Sequence, residues 1–342
     1  VGGFATVFQA WDQQERRRVG LKVMLPEAMT DPTAYRRIAR EARLMSALRH
    51  PNTVQIYQQG IWGDPERGLP FLVMELLQGQ TLSQRLKERG VRPGAEVVHT
   101  LIEVLKSLEE AHRLGLVHRD IKPDNLFWCD PAPGEPARLK VLDFGLARAL
   151  EGDWSDETRE RLTQDNHVAG TVSYMAPELV FQTHPIGPSI DQYALGCVAY
   201  ALLVGVPPFK GDSVLLTAMM HLEEEMPSLP PSAPAGLEAV LRRSMAKNPA
   251  ERFEGVGQMR EALEALGPMP RLDLRDSLIA APALPFLDEP SESYLLHPLT
   301  PSQEEAQDEA RAQEAPSAPQ GAAQGGWFSK IKRLFGGAKG AS

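Results

Sequence analysis

The sequence predicts an α+β molecule of two lobes: a small β-rich N-lobe with one helix, then a larger helical C-lobe. Three observations carry this. Strand-like runs at 7–11, 19–24, 54–57 and 71–75 crowd the first 77 residues, with one helical stretch, 32–48, among them. After Gly79 the apolar spacing turns helical. Further on, the polar cluster His118-Arg119-Asp120-Ile121-Lys122-Pro123-Asp124-Asn125 lies between two short apolar steps, Leu116-Val117 and Leu126-Phe127-Trp128. That is the pattern of a functional loop held open by rigid flanks. The expected boundaries are 1–77 for the N-lobe and 78–266 for the C-lobe. A Pro/Ala/Gln-rich linker over 267–325 and a short basic amphipathic segment over 326–337 follow.

Composition narrows the class. With 42% hydrophobic residues in 342 there is ample material for a core. A formal net charge of −9 argues against general nucleic-acid binding. The only cysteines, Cys129 and Cys197, make neither a disulfide framework nor a metal cluster, so a reducing cytoplasm is the expectation. No apolar run reaches membrane-spanning length, and no signal peptide is visible.

Taken in order, the chain opens on Val1-Gly2-Gly3-Phe4-Ala5-Thr6-Val7, whose glycines let a backbone approach a phosphate closely. Lys22 is the only charge in the strand Val19–Met24. The helix over 32–48 carries Tyr35, Ile38, Ala42, Met45 and Leu48 on one face and includes Glu41, and Pro51 follows its end. Two strands come next, the second closing on Met74-Glu75. Helices follow at Thr81–Leu86 and Ala95–Leu114, the latter with a core stripe of Val97, Val98, Leu101, Leu105 and Leu108, stopped by Gly115. In the loop beyond, Asp120 is a carboxylate suited to a substrate hydroxyl. Asn125 offers an amide oxygen suited to a hard cation such as Mg²⁺, and Lys122 can neutralise a developing phosphate charge. Residues 131–136 read as an enlarged hairpin tip. Leu139–Leu142 is a strand delivering Asp143, and a long polar stretch, 147–169, holds Ser155, Thr158 and Thr163. Asp191 opens an apolar central helix as an N-terminal carboxylate.

The loop 118–125, together with Asp143-Phe144-Gly145 and Ala176-Pro177-Glu178, resembles the signature of eukaryotic-type protein kinases. The chain is identified as a member of the Hanks-type serine/threonine kinases of bacteria, over residues 1 to about 266. The resemblance implies the bilobal protein-kinase fold, with the first strand and first glycine of the glycine-rich loop missing ahead of Val1. It implies ATP and Mg²⁺ as cofactors, protein substrates phosphorylated on serine or threonine, and a signalling role with autophosphorylation of the activation loop. Gly2, Gly3 and Val7 would cover the nucleotide. Lys22 would hold its α- and β-phosphates, oriented by an ion pair with Glu41. Gly20 stands where the family has alanine, which would loosen the adenine roof. Met74 would be the gatekeeper, Glu75 to Leu77 the hinge, and Leu126 part of the adenine pocket. Asp120 would be the catalytic base, with Asn125 and Asp143 as metal ligands and Thr171 facing the catalytic loop. Arg119, buried beside a carboxylate, would need an anion, supplied by phosphorylated Thr163 in preference to Thr158 or Ser155. Met45, Ile56, His118 and Phe144 would stack in one apolar column, and Glu178 would pair with Arg252. A scaffold without activity would lack Lys22, Asp120 or Asp143. A small-molecule phosphotransferase would lack 176–178 and Arg252. All are present.

Beyond Gly267 no periodicity is sustained, and a mostly disordered linker is expected. Trp327, Phe328, Ile331, Leu334 and Phe335 then share one helical face, with Lys330, Lys332 and Arg333 tending to the other. This suits weak peripheral contact with an anionic membrane, such as its inner face, or with a partner's groove. A tail bound to nothing, or packed on the protein itself, is the alternative.

Overall fold

The computed structural model describes residues 5–25, 34–63, 68–131, 137–144, 172–181 and 183–267, with the backbone alone for 34–39. Gly2, Gly3, Ser155, Thr158, Thr163, Thr171, the linker beyond Gly267 and the segment Trp327–Phe335 lie outside the described residues.

In the N-lobe, β1 (Ala5–Asp12), β2 (Arg17–Met24), β3 (Ile56–Trp62) and β4 (Leu69–Glu75) form an antiparallel sheet in the order β1-β2-β4-β3. The β1–β2 hairpin closes where the Asp12 carboxylate accepts the backbone N–H groups of Gln14 and Glu15, the local bonding that makes Asp a turn residue. Val19, Phe71 and Val73 form a small buried cluster on this sheet. Helix α1 (Ala34–Ala47) packs against β3 and β4, burying Ala42 and Met45, with Leu48 just beyond its end. Strand β3 begins at Ile56, two residues later than the apolar run suggests. Val54 is bonded elsewhere, its N–H donating to Val141, while the Gln55 carbonyl accepts from Glu75 at the end of β4.

A second antiparallel sheet, β5 (Gly79–Thr81), β6 (Leu126–Cys129) and β7 (Arg138–Val141), lies at the start of the C-lobe. The sequence placed a helix start at Thr81. Instead Thr81 ends β5 and caps α2 (Leu82–Arg89) in a reciprocal capping box with Gln84. Gly79 is obligatory there: its φ is +141°, and a Cβ would come within 2.1 Å of the Trp128 carbonyl oxygen. Helix α3 (Gly94–Arg113) buries the expected stripe completely. After α4 (Pro177–Phe181) comes α5 (Ser189–Val204), whose residues 190–203 are all buried, as a helix apolar all round must be. Helices α6 (Val214–Glu223), α7 (Leu237–Ser244) and α8 (Val256–Glu264) complete the lobe, with α8 against α3 and α7 against α5. One continuous apolar core runs from Met24, Met45 and Leu72 through Leu105 and Val141 to Leu263.

Candidate active site

The loop at 118–125 owes its shape to a buried carboxylate on α5. Asp191, 1% exposed, accepts the backbone N–H of His118 at Oδ2 and of Arg119 at Oδ1, each at 2.9 Å. The His112 ring, at the end of α3, reaches Oδ2 at 2.8 Å. Burial alone would raise the Asp191 pKa; the His112 hydrogen bond and the neighbouring His118 outweigh it, and the net shift is downward. This bracing holds Arg119 in a left-handed conformation at φ 64°. The Arg119 side chain is exposed, contrary to the buried position expected of it. His112 was not legible in the sequence: only the fold brings the end of α3 under the loop.

His118 is fully buried and ties the loop to the strand that follows. Its Nδ1 accepts the Asp120 N–H at 3.3 Å, which makes Nε2 the donor to the Leu142 carbonyl at 2.7 Å. Its ring lies 4.6 Å from that of Phe144. Met45, Ile56 and Phe144 belong to the same continuous core.

Asp120, Lys122, Asn125 and Asp143 converge. The Lys122 ammonium lies 2.9 Å from Asp120 Oδ2, and Asn125 Nδ2 donates to the same oxygen at 2.9 Å and to the Asp120 carbonyl at 2.8 Å. With its nitrogen committed to Asp120, the Asn125 amide turns its oxygen the other way. The Leu142 N–H donates to the Asn125 carbonyl at 2.9 Å, which seats Asp143 beside the loop. Asp143 itself has φ 54° and a side chain 38% exposed. Burial would raise its pKa, but Lys22 beside it carries the net shift downward, keeping the carboxylate ionised.

Lys22 is where expectation and structure part. Its ammonium donates to Asp143 Oδ1 at 2.6 Å; the ion pair with half-buried Glu41 is not formed. One ammonium cannot serve both carboxylates at that distance unless they converge on it, and here Asp143 has it. The other nucleotide candidates lie across adjacent strands: Val7 opposite Lys22, and Gly20 opposite Met74. The expected looseness at Gly20 is corrected too. A Cβ there would meet the Met74 side chain at 3.2 Å, so the thioether already fills the space. Glu75, the last residue of β4, and Leu77, on the connection to β5, are half-buried, and Leu126 is fully buried at the start of β6.

The donor set suits a hard divalent cation: one ionised carboxylate and one amide oxygen on adjacent segments. Among the described residues no cluster of three His, Cys, Asp or Glu side chains competes for a metal. Mg²⁺ is commonly bound by one or two protein oxygens, with phosphates and water completing the shell, so these residues fit it.

Fold and site together define a protein kinase, and the chain belongs to that family: the protein kinase domain model matches residues 1–264. Its relatives are Hanks-type serine/threonine kinases of bacteria. It is 34% identical over 267 residues to serine/threonine-protein kinase PknB of Mycobacterium tuberculosis, covering 77% of this chain and 41% of that one. It is also 34% identical over 266 residues to PknA of the same species, covering 78% and 59%. The crystal structure of the M. tuberculosis PknI kinase domain, in a double-mutant form, matches with a TM-score of 0.59 at 25% identity, over 78% of this chain and 92% of that one. The chain thus spans about half the length of the curated relatives it matches.

Proposed function

We propose that the protein transfers the γ-phosphoryl group of ATP to serine and threonine hydroxyls of protein substrates. The observation that supports this most strongly is the convergence of Asp120, Lys122, Asn125 and Asp143 on one loop and strand end, braced by Asp191. In this reading Asp120 receives the hydroxyl proton, and Lys122 and Asn125 aim its carboxylate. Asn125 and Asp143 would hold Mg²⁺, which would supply positive charge to offset the phosphates during transfer. Lys22 leaves Asp143 for the α- and β-phosphates when nucleotide binds, and Glu41 is then the carboxylate placed to orient it. Asp143→Ala removes a metal ligand without touching the core, so transfer is lost by several orders of magnitude while the far-UV circular dichroism and melting temperature hold. Near-normal transfer by that variant rules out the assigned site.

Regulation follows from the exposed Arg119. A phosphate on Thr163, put there by the kinase itself, gives that guanidinium a bidentate partner. Mass spectrometry of active protein should find Thr163 modified, and Thr163→Ala should slow transfer about tenfold or more. Full activity of the alanine variant removes Thr163 from this role.

The described residues include no helix long and apolar enough to cross a membrane.

A further inference from the structure

Lys140 sits in the middle of β7 between two fully buried residues, Leu139 and Val141, and is itself 6% exposed. An ammonium in such a place is costly unless paired, and a buried pair seldom adds net stability over apolar packing. Its partners therefore matter more than its charge. Lys140 Nζ lies 2.6 Å from Oε2 of Glu75 and 3.4 Å from the Thr53 carbonyl. The same Glu75 oxygen accepts the Gln55 N–H at 3.4 Å, and the Glu75 N–H donates to the Gln55 carbonyl at 2.9 Å. Residues 52–54 are stitched in turn to β7. The Val54 N–H donates to Val141, the Val141 N–H to Asn52, and the Asn52 side chain to the Leu139 carbonyl at 2.8 Å. Glu75 begins the connection between the lobes, and two residues beyond Lys140 the Leu142 carbonyl and N–H meet His118 and Asn125.

We infer that Lys140 is a positioning residue for phosphoryl transfer, a clamp that joins the interlobe connection at Glu75 to the strand carrying Asp143. The inference rests on the proposed function and on the resemblance that makes residues 75–77 the hinge, whose backbone groups would take adenine. The clamp grips Glu75 by its side chain, from behind the backbone. It fixes the adenine-binding edge relative to the metal ligand three residues past Lys140, so adenine and the phosphates find their partners at one spacing. Releasing the grip lets the connection drift by tenths of an ångström, which weakens hydrogen bonds to adenine without removing any group that touches the phosphates.

The test uses the whole chain with a serine-containing peptide, Mg²⁺ and ATP, and a non-hydrolysable ATP analogue for titration calorimetry. Lys140→Met and Glu75→Gln should each raise KM for ATP and Kd for the analogue about three- to tenfold, the loss of roughly one hydrogen bond. For Lys140→Met, turnover at saturating ATP should stay within about twofold. The double variant should be no worse than the single ones, since either change opens the same clamp, and Lys140→Arg should recover part of the affinity. A purely structural lysine would instead lower melting temperature and active fraction while leaving KM alone. If Lys140→Met does not fold, Glu75→Gln with Lys140→Arg still reads the contact. Unchanged KM and Kd in the folded variants, or full additivity in the double variant, overturns the clamp. Asp143→Ala run in parallel separates the failures: persistent transfer in that variant withdraws the site, whereas its loss beside an unchanged KM withdraws only the clamp.

Discussion

At the scale of single residues, this site shows how a small side chain and its neighbour must be read as a pair. Gly20 by itself suggests an open roof; opposite Met74 it is a socket. A methyl at position 20 meets the flexible Met74 side chain, so Gly20→Ala should raise KM for ATP by less than about threefold. Gly20→Val adds branches that a thioether rotation does not clear, and should raise it about tenfold. Met74→Ala, by emptying the socket, should restore the valine variant in steady-state kinetics. A valine variant that binds ATP normally shows that the two side chains do not compete. Lys22 gives the same lesson with charge: its partner is decided by which carboxylate lies within reach, and here that is Asp143.

At the scale of elements, the first turn of α5 is the brace for the site. Asp191 satisfies two loop N–H groups that otherwise face a dry interior, and one histidine besides. Asp191→Asn keeps the shape but turns an amide toward donors, so stability should fall by about 3 kcal/mol at neutral pH and turnover should fall with it. The sign of the pH effect follows from the lowered pKa. Its stabilisation is complete above the unfolded value, about 3.9, and disappears as pH falls through the folded one. Urea unfolding should therefore show wild type and variant diverging at pH 7 and converging below about pH 4. A gap that is constant with pH would mean that the ionised form is not what braces the loop. The pair between Glu178 and Arg252 works at the same scale: two contacts at 2.6 and 2.9 Å, wholly buried, pin the start of α4 to the turn before α8.

At the scale of the molecule, one apolar core runs through both lobes, and the ion pairs Lys22–Asp143 and Lys140–Glu75 also tie one lobe to the other. We propose the aromatic and basic pattern at Trp327–Phe335 as a weak membrane contact. It should bind anionic vesicles weakly, at about 1 kcal/mol per basic residue, and release them in high salt. Sedimentation of the whole chain beside one ending at Gly325, with anionic and neutral vesicles, checks this. Equal pelleting of both chains on anionic vesicles at low salt removes the anchor.

What the sequence determined is what local chemistry determines. Short apolar runs make strands, a buried stripe makes α3, and a polar cluster between apolar steps makes a loop that must be held by something. The resemblance of the motifs at 118–125 and 143–145 to the kinase signature named Asp120, Asn125 and Asp143 together, and the β6–β7 hairpin brings the strand end before Asp143 back beside Asn125. The tertiary structure decided everything that depends on distant segments meeting. It set Lys22 on Asp143 instead of Glu41, Met74 into Gly20, His112 beneath Asp191, and Lys140 behind Glu75. Local pattern is silent about these because an isolated lysine or histidine carries the same propensity whether it faces water or a carboxylate. Only the packing that brings two charges to 2.6 Å determines which partner it has.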